Sequence, residues 1–198
     1  MTKGAELLIA GLDLETTGLD QTEGHRIIEV ALVIYELGTG KERGRIEQRI
    51  NPMRGIDPKA QAVHGICAED LIGKPQWETV GHGVSNLISR CQYVVAHNGI
   101  GFDAPFLWGE FERIGVALPS VPIIDTMIQG RWATPDGAVP NLEALCFACN
   151  VEYDRNKAHG ATYDVSVMMA CFFKQYERGF FTLPSSPYVY KPAAKAAH

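Results

Sequence analysis

The sequence predicts an α/β domain built on a mixed sheet, and three observations predict it. Three strand-like stretches follow one another within the first 51 residues. From residue 76 onward, helical and strand-like stretches alternate, and the chain then ends in helices. The length of 198 residues, with 46% hydrophobic and 21% charged, suits one domain with a full core. Consecutive strands pair antiparallel and helical crossovers pair strands in parallel, so the sheet is mixed.

The first strand begins in residues 7–12, which are apolar without a break, as in a strand covered on both faces. A polar turn spans 19–24, and 26–35 is apolar and β-branched, a second strand. Residues 38–40 read as a turn, and 41–51 as an exposed third strand whose charges suit a sheet edge. Pro52 and Pro58 bracket a loop, and 59–65 is a short helical piece ending at glycine. Trp77, Val80, Val84, Leu87, Ile88 and Cys91 recur at helical spacing, predicting an amphipathic helix over 76–90. Residues 93–96 form a short buried strand, 104–114 a helix stopped by Gly115, and 121–124 a further strand. Helices follow near 125–133 and 141–149. The last, over 161–178, carries Val165, Met168, Met169, Phe172 and Tyr176 on one stripe.

These elements make one domain over 1–182. From Leu183 the chain becomes rich in proline, alanine and lysine and reads as a flexible tail over 183–198. No run of 18 apolar residues is present, which excludes a membrane-spanning helix, and the N-terminus shows no signal-peptide core. Five cysteines, an odd number, suit a reducing compartment, so a cytoplasmic location is expected. Cys146 and Cys149 fall on one helical face with Leu142 and Leu145 and read as buried helix residues rather than zinc ligands. A net charge of −5 excludes a protein held on nucleic acid mainly by bulk electrostatics. It does not exclude a nucleic-acid enzyme whose carboxylates are neutralised by metal.

Two carboxylates interrupt the first strand at i and i+2. Asp13 and Glu15 therefore point the same way, roughly 6–7 Å apart along the chain. Bare carboxylates side by side repel and lose hydration, and a hard divalent cation resolves that. Asp103, before Ala104-Pro105, reads locally as a helix N-cap. It also falls just past the carboxyl end of a short strand, where open α/β sheets build sites. Asp164 shares the buried stripe of the last helix with Met168, Cys171 and Phe172, where a carboxylate needs a partner or a metal. His159 lies five residues earlier, at the helix entry.

Asp13-x-Glu15, then Asn98 with Phe102-Asp103, then His159 with Asp164, in that order, resembles the three motifs of the DEDDh exonuclease family. The flanks share the resemblance: 13–19 around the first acids, 26–31 in the second strand, Val63-His64-Gly65-Ile66, Ala96-His97-Asn98, and His159-Gly160-Ala161. Several of these are similar to the proofreading branch associated with bacterial DNA polymerase. The family's tyrosine variant has Tyr four before the last acid. Here that position is Gly160, which leaves His159 as the base. The chain departs from many close relatives in carrying three residues, Gly99-Ile100-Gly101, between Asn98 and Phe102. These glycines suit a backbone that approaches a nucleotide or bulges around it.

The resemblance implies a ribonuclease H-like exonuclease fold, with a mixed five-stranded sheet flanked by helices. It implies a 3′–5′ exonuclease that releases nucleoside 5′-monophosphates from single-stranded DNA ends in replication or repair. Two ions, Mg2+ or Mn2+, are implied about 4 Å apart. Asp13 bridges them, Glu15 and Asp164 complete the first, and Asp103 holds the second. Neutral His159, with a reference pKa of roughly 6.5, is implied to take the proton of the attacking water. Expected substrate contacts are backbone N–H groups of Thr16, Thr17 and Gly18, stacking by His64 and Phe102, Asn98, and Arg155 and Lys157 as phosphate ligands. Glu29 and Asp125 fall outside the motifs. The alternatives are an exoribonuclease acting on RNA 3′ ends and a non-catalytic binding scaffold. The scaffold predicts a lost motif residue, whereas all five are present. The tail is a candidate tether to a polymerase or another replication partner.

Overall fold

The structure is a computed structural model that describes residues 7–190. Its five strands are β1 (Leu8–Thr16), β2 (Ile27–Glu36), β3 (Glu42–Arg49), β4 (Tyr93–Ala96) and β5 (Ile123–Asp125). The helices are α1 (Pro58–His64), α2 (Trp77–Ser89), α3 (Asp103–Arg113), α4 (Thr126–Gln129), α5 (Leu142–Cys149) and α6 (Ala161–Tyr176). The sheet order is β3-β2-β1-β4-β5, with β1, β2 and β3 antiparallel and β4 and β5 parallel to β1. This is the mixed, five-stranded sheet flanked by helices that the sequence implied.

The alternation of β1 divides the core. Ala10, Leu12 and Leu14 face a layer with Trp77, Ile88, Phe106 and Phe111 from α2 and α3. Ile9 faces the opposite layer, with Leu145 of α5 and Val165, Met168, Met169 and Phe172 of α6. Strand period two therefore turns Asp13 and Glu15 toward α6. Gly11 lies on that same face, and a Cβ there would sit 2.8 Å from both Met169 Cγ and Val165 Cγ1. The glycine lets α6 approach β1 closely enough to deliver Asp164 beside the strand acids.

The edge strand β3 is exposed, as its charges predict. The expected strand over 121–124 lies at Ile123–Asp125 instead, and the expected helix near 125–133 splits into α4 and a 3-10 turn at Gly130–Ala133. Two further 3-10 turns, Gln21–Glu23 and Ala68–Leu71, occupy expected loops. Residues 183–190, expected as the start of the tail, instead run back over the domain. Leu183 packs against the α6 layer, and Tyr190 packs in a tilted arrangement on Trp108 at a centroid distance of 5.2 Å. Residues 191–198 lie outside the described residues, and with them half of the candidate tether. Among the described residues no helix is long and apolar enough to cross a membrane.

The α3 face is fastened by a buried carboxylate. Glu110, 3% exposed, accepts from Arg26 Nε at 2.5 Å, from Arg113 Nη2 at 2.9 Å and from the Ile27 N–H at 3.3 Å. Arg113 is also paired with Glu78.

Candidate active site

The parallel strands β1, β4 and β5 all end on one side of the sheet, where α/β folds place their sites. A register shift between Glu15 and Thr16 re-aims the end of β1. Ligand oxygens of Asp13, Glu15 and Asp164 lie within 4.8 Å of one another. Asp103 completes the cluster electrostatically. Burial, then Asp103, Glu15 and Asp164, push the Asp13 carboxyl well above its ordinary range. Burial, then Asp164 and Glu29, push Glu15 to about 8. Burial, together with Asp125, pushes Asp103 to about 8, and burial also raises Asp164.

The local reading of Asp103 as an N-cap is corrected. Phe102 occupies the cap position, Asp103 opens the helix, and its Oδ1 is buried without a hydrogen-bond partner. Asp164 divides its two oxygens. Oδ2 accepts from the His159 N–H at 3.0 Å, while Oδ1 is likewise buried and unpartnered. Buried acceptors are ordinarily satisfied. Two orphaned oxygens beside three converging carboxylates, all acceptor-only when ionised, fit a hard divalent cation.

The acids lie at the junction of a two-lobed cleft. One lobe, about 420 Å³, is lined by Glu15, Thr16, Leu19, Lys59, Val63, His64, Phe102 and Asp103. The other, about 580 Å³, is lined by Met127, Asn141, Tyr153 and Arg155. Asp13, His97, Asn98, His159 and Asp164 line both. The fold thus brings all five motif residues to one place, with Thr16, His64, Asn98 and Phe102 around them. Phe102 is half-buried, packed on Phe106 at a centroid distance of 4.9 Å. His64 Nδ1 accepts from the Ile66 N–H at 3.0 Å, which puts the ring proton of the neutral form on Nε2. Burial depresses the pKa of His64.

Other residues expected to contact a substrate are engaged within the protein or lie off the cleft wall. The Thr17 N–H is spent on the Arg26 carbonyl at 2.8 Å, and its hydroxyl meets His25 Nδ1 at 3.0 Å, so Thr17 offers nothing to a substrate. Gly18 packs against His25, whose ring would lie 2.2 Å from an added Cβ, and does not line either lobe. Lys157 pairs with Asp154 at 3.5 Å and does not line the cleft. Arg155 does line it, but is already paired with Glu143 at 2.6 Å.

Sequence reasoning missed three residues. Asp125 accepts from the Asn98, Ile100, Met127 and Ile128 N–H groups at 3.0–3.2 Å, capping α4 while holding the loop that carries Asn98 and Asp103. Asn98 itself adopts φ 65, and the loop closes on its carbonyl through the N–H of Gly101 and Phe102. Gly99 and Gly101 serve this packing: added Cβ atoms would meet Ala96 Cβ at 2.4 Å and Asn98 Oδ1 at 2.5 Å. Lys59 is an exposed cation on the cleft wall with no ion pair among the described residues, held in place as the Asp57 carboxylate caps α1 and the Asp57 N–H bonds the Thr17 carbonyl at 2.8 Å. Glu29 reaches the start of α6. The apolar run followed by Asp125-Thr126 carried a cap signal, but nothing local distinguished Lys59 or Glu29.

Four acids and a histidine line one cleft at the carboxyl edge of the sheet, and the family match gives the class of this protein. The model of the RNase T group, described as exonuclease, matches residues 10–172, and the chain belongs to this exonuclease family. Its domain is that of a 3′–5′ exonuclease. The DNA polymerase III subunit epsilon of Rickettsia conorii is 34% identical over 163 residues, covering 79% of this chain and 68% of the relative. That of Escherichia coli K12 is 31% identical over 167 residues, covering 79% and 66%. E. coli exonuclease I, solved with a dA16 oligonucleotide, shares the fold with a TM-score of 0.73 at 17% identity over 86% of this chain. This chain spans only 41% of exonuclease I. Exonuclease X, solved in complex with 5′ overhanging duplex DNA, gives a TM-score of 0.66 at 25% identity, covering 86% of this chain and 93% of that one.

Proposed function

We propose that the chain removes nucleotides one at a time from the 3′ end of single-stranded DNA, hydrolysing the terminal phosphodiester to a nucleoside 5′-monophosphate with a divalent metal. The observation that carries this reading is the convergence of Asp13, Glu15 and Asp164 within 4.8 Å beside the orphaned oxygens of Asp103 and Asp164, on the floor of an open cleft. Asp13, Glu15 and Asp164 would hold one Mg2+ or Mn2+, and Asp103 with Asp13 a second. Ions bound there supply a polarised water and neutralise the phosphate as charge develops. DNA as substrate is supported by the polymerase subunits this chain is similar to and by the oligonucleotides in the related structures.

The chain's own residues orient and deprotonate. His159, at the mouth of both lobes, takes the proton of the attacking water on an imidazole nitrogen. Its position is held by its N–H bond to Asp164. Phe102 and His64, with exposed Leu19 and Val63, offer apolar and aromatic contact to terminal bases, which is sequence-tolerant. Lys59 faces the strand's phosphates from the wall of one lobe.

A 5′-labelled DNA oligomer and its RNA twin, each with Mg2+, Mn2+ or EDTA, test the reading on a sequencing gel. A metal-dependent ladder shortening from the 3′ end of DNA is expected. A ladder on RNA alone makes the protein an exoribonuclease, and no cleavage with metal binding intact makes it a scaffold. His159→Ala is expected to lower kcat by roughly 10²–10⁴-fold, the usual worth of a general base, while metal still raises the melting temperature. A His159→Ala enzyme of near wild-type rate overturns that role. Lys59→Ala should raise the Kd for single-stranded DNA and reduce the slope of log Kd against log salt by about 0.7, the loss of one phosphate contact. An unchanged slope removes Lys59 from the interface.

A further inference from the structure

We propose that Glu29, an acid outside the three motifs, is a positioning residue that caps α6 from across the sheet and so sets His159 and Asp164. The inference rests on the functional reading above for its kinetic consequence alone. The N-cap of α6 is Gly160, which has no side chain to satisfy the first N–H groups of the helix. Acceptors must come from elsewhere. Asp164 Oδ2 takes the His159 N–H, and Glu29 Oε2 takes the N–H of fully buried Ala161 at 3.3 Å. These two bonds flank Gly160 and pin a segment in which His159 adopts φ 61, a conformation that costs a non-glycine residue energy and needs its surroundings to hold it.

The sheet explains why Glu29 is in place. Glu15 pairs with Glu29 across β1 and β2, and Glu29 pairs with Arg49 across β2 and β3. Directly opposed residues share a face, so the three side chains form one row ending at α6. Arg49 Nε donates to Glu29 Oε1 at 3.1 Å. That counter-charge occupies one oxygen and leaves the other for Ala161. Among the described residues, the carboxylates that converge as a cation site are Asp13, Glu15 and Asp164, without Glu29. Glu29 therefore acts through the helix rather than on the substrate.

The test separates reach from charge. Glu29→Asp keeps the charge but shortens the side chain, whereas Glu29→Gln keeps the reach and an acceptor oxygen. Arg49 can turn to Asp70, already 3.8 Å away, when the charge is lost. On single-stranded DNA, Glu29→Asp and Glu29→Ala are expected to lower kcat by roughly 10–100-fold, the cost of misplacing a reacting group, with KM within about twofold. Glu29→Gln should stay within about threefold of wild type by the same reasoning. In EDTA, without substrate, the Ala161 amide proton should move upfield in the aspartate and alanine variants and not in the glutamine variant. A wild-type rate in Glu29→Asp with a defect in Glu29→Gln overturns the proposal, as does an unmoved Ala161 amide. The aspartate and glutamine pair decides the matter even where the alanine variant does not fold. A wild-type protein that cleaves no DNA overturns the functional reading instead, and the amide spectra still decide the cap.

Discussion

Replacing Asp13 or Asp164 by alanine is expected to reduce the exonuclease rate by at least about 10³-fold, equivalent to about 4 kcal/mol of transition-state stabilisation, while making the metal-free fold more stable. Both effects have one cause. Four carboxylates are held together with burial as the main penalty, and each is pushed up from its ordinary value. A carboxyl whose folded pKa is raised keeps a proton that the unfolded chain releases. Its contribution to stability is full below the unfolded pKa, near 4, and is lost as pH rises through the folded pKa. For Glu15 and Asp103 that folded value is about 8, so the metal-free protein should lose melting temperature between about pH 4 and 8. Asp103→Asn should flatten this slope and raise the melting temperature at pH 8. Mg2+ or Mn2+ must displace the same protons, so the metal-induced rise in melting temperature should grow from pH 6.5 to 8.5 and vanish in Asp13→Ala. Calorimetry with and without EDTA across that range measures all three, and a metal-free melting temperature that climbs toward pH 8 contradicts the account.

Glu110→Ala is expected to cost about 3 kcal/mol, the lower end for breaking a buried pair, because Arg26 and Arg113 keep partial access to water once it is gone. At about 2–4 °C per kcal/mol for a domain of this size, the melting temperature should fall by about 6–12 °C. The loss has two parts: two guanidinium groups each lose one of their acceptors, and the Ile27 N–H at the start of β2 is orphaned. Glu110→Gln, which keeps one acceptor, should lose less. Denaturant unfolding of the three proteins measures this, and equal losses in both variants place the effect in packing rather than in the ion pair.

Much of the acidic cluster was legible because it is periodic. Strand alternation puts Asp13 and Glu15 on one face, and helical spacing puts Asp164 on a stripe with Met168 and Phe172. Asp103 was ambiguous, since an acid before Ala-Pro satisfies the rules for a cap. Its buried, unpartnered oxygen removes the ambiguity, because a cap has a bonded carboxylate. Gly11 passed unnoticed within an apolar run. Its importance lies in what approaches it, Met169 and Val165, more than 150 residues later.

The sequence by itself determined the order of strands and helices, the exposed edge at β3, and the grouping of acids and histidine in one place. Each follows from local period or from an ordered set of motifs. Only the tertiary structure decided which polar groups remain free to meet a substrate or ion. Thr17 and Lys157 look available in the chain but are spent on Arg26 and Asp154, while Lys59 on the cleft wall has no ion pair among the described residues. Glu29 and Asp125 turn from bystanders into supports for the same reason. A hydrogen bond consumes a donor wherever the fold brings its acceptor, and for these supports the two lie 27 and 132 residues apart, beyond the reach of any local pattern.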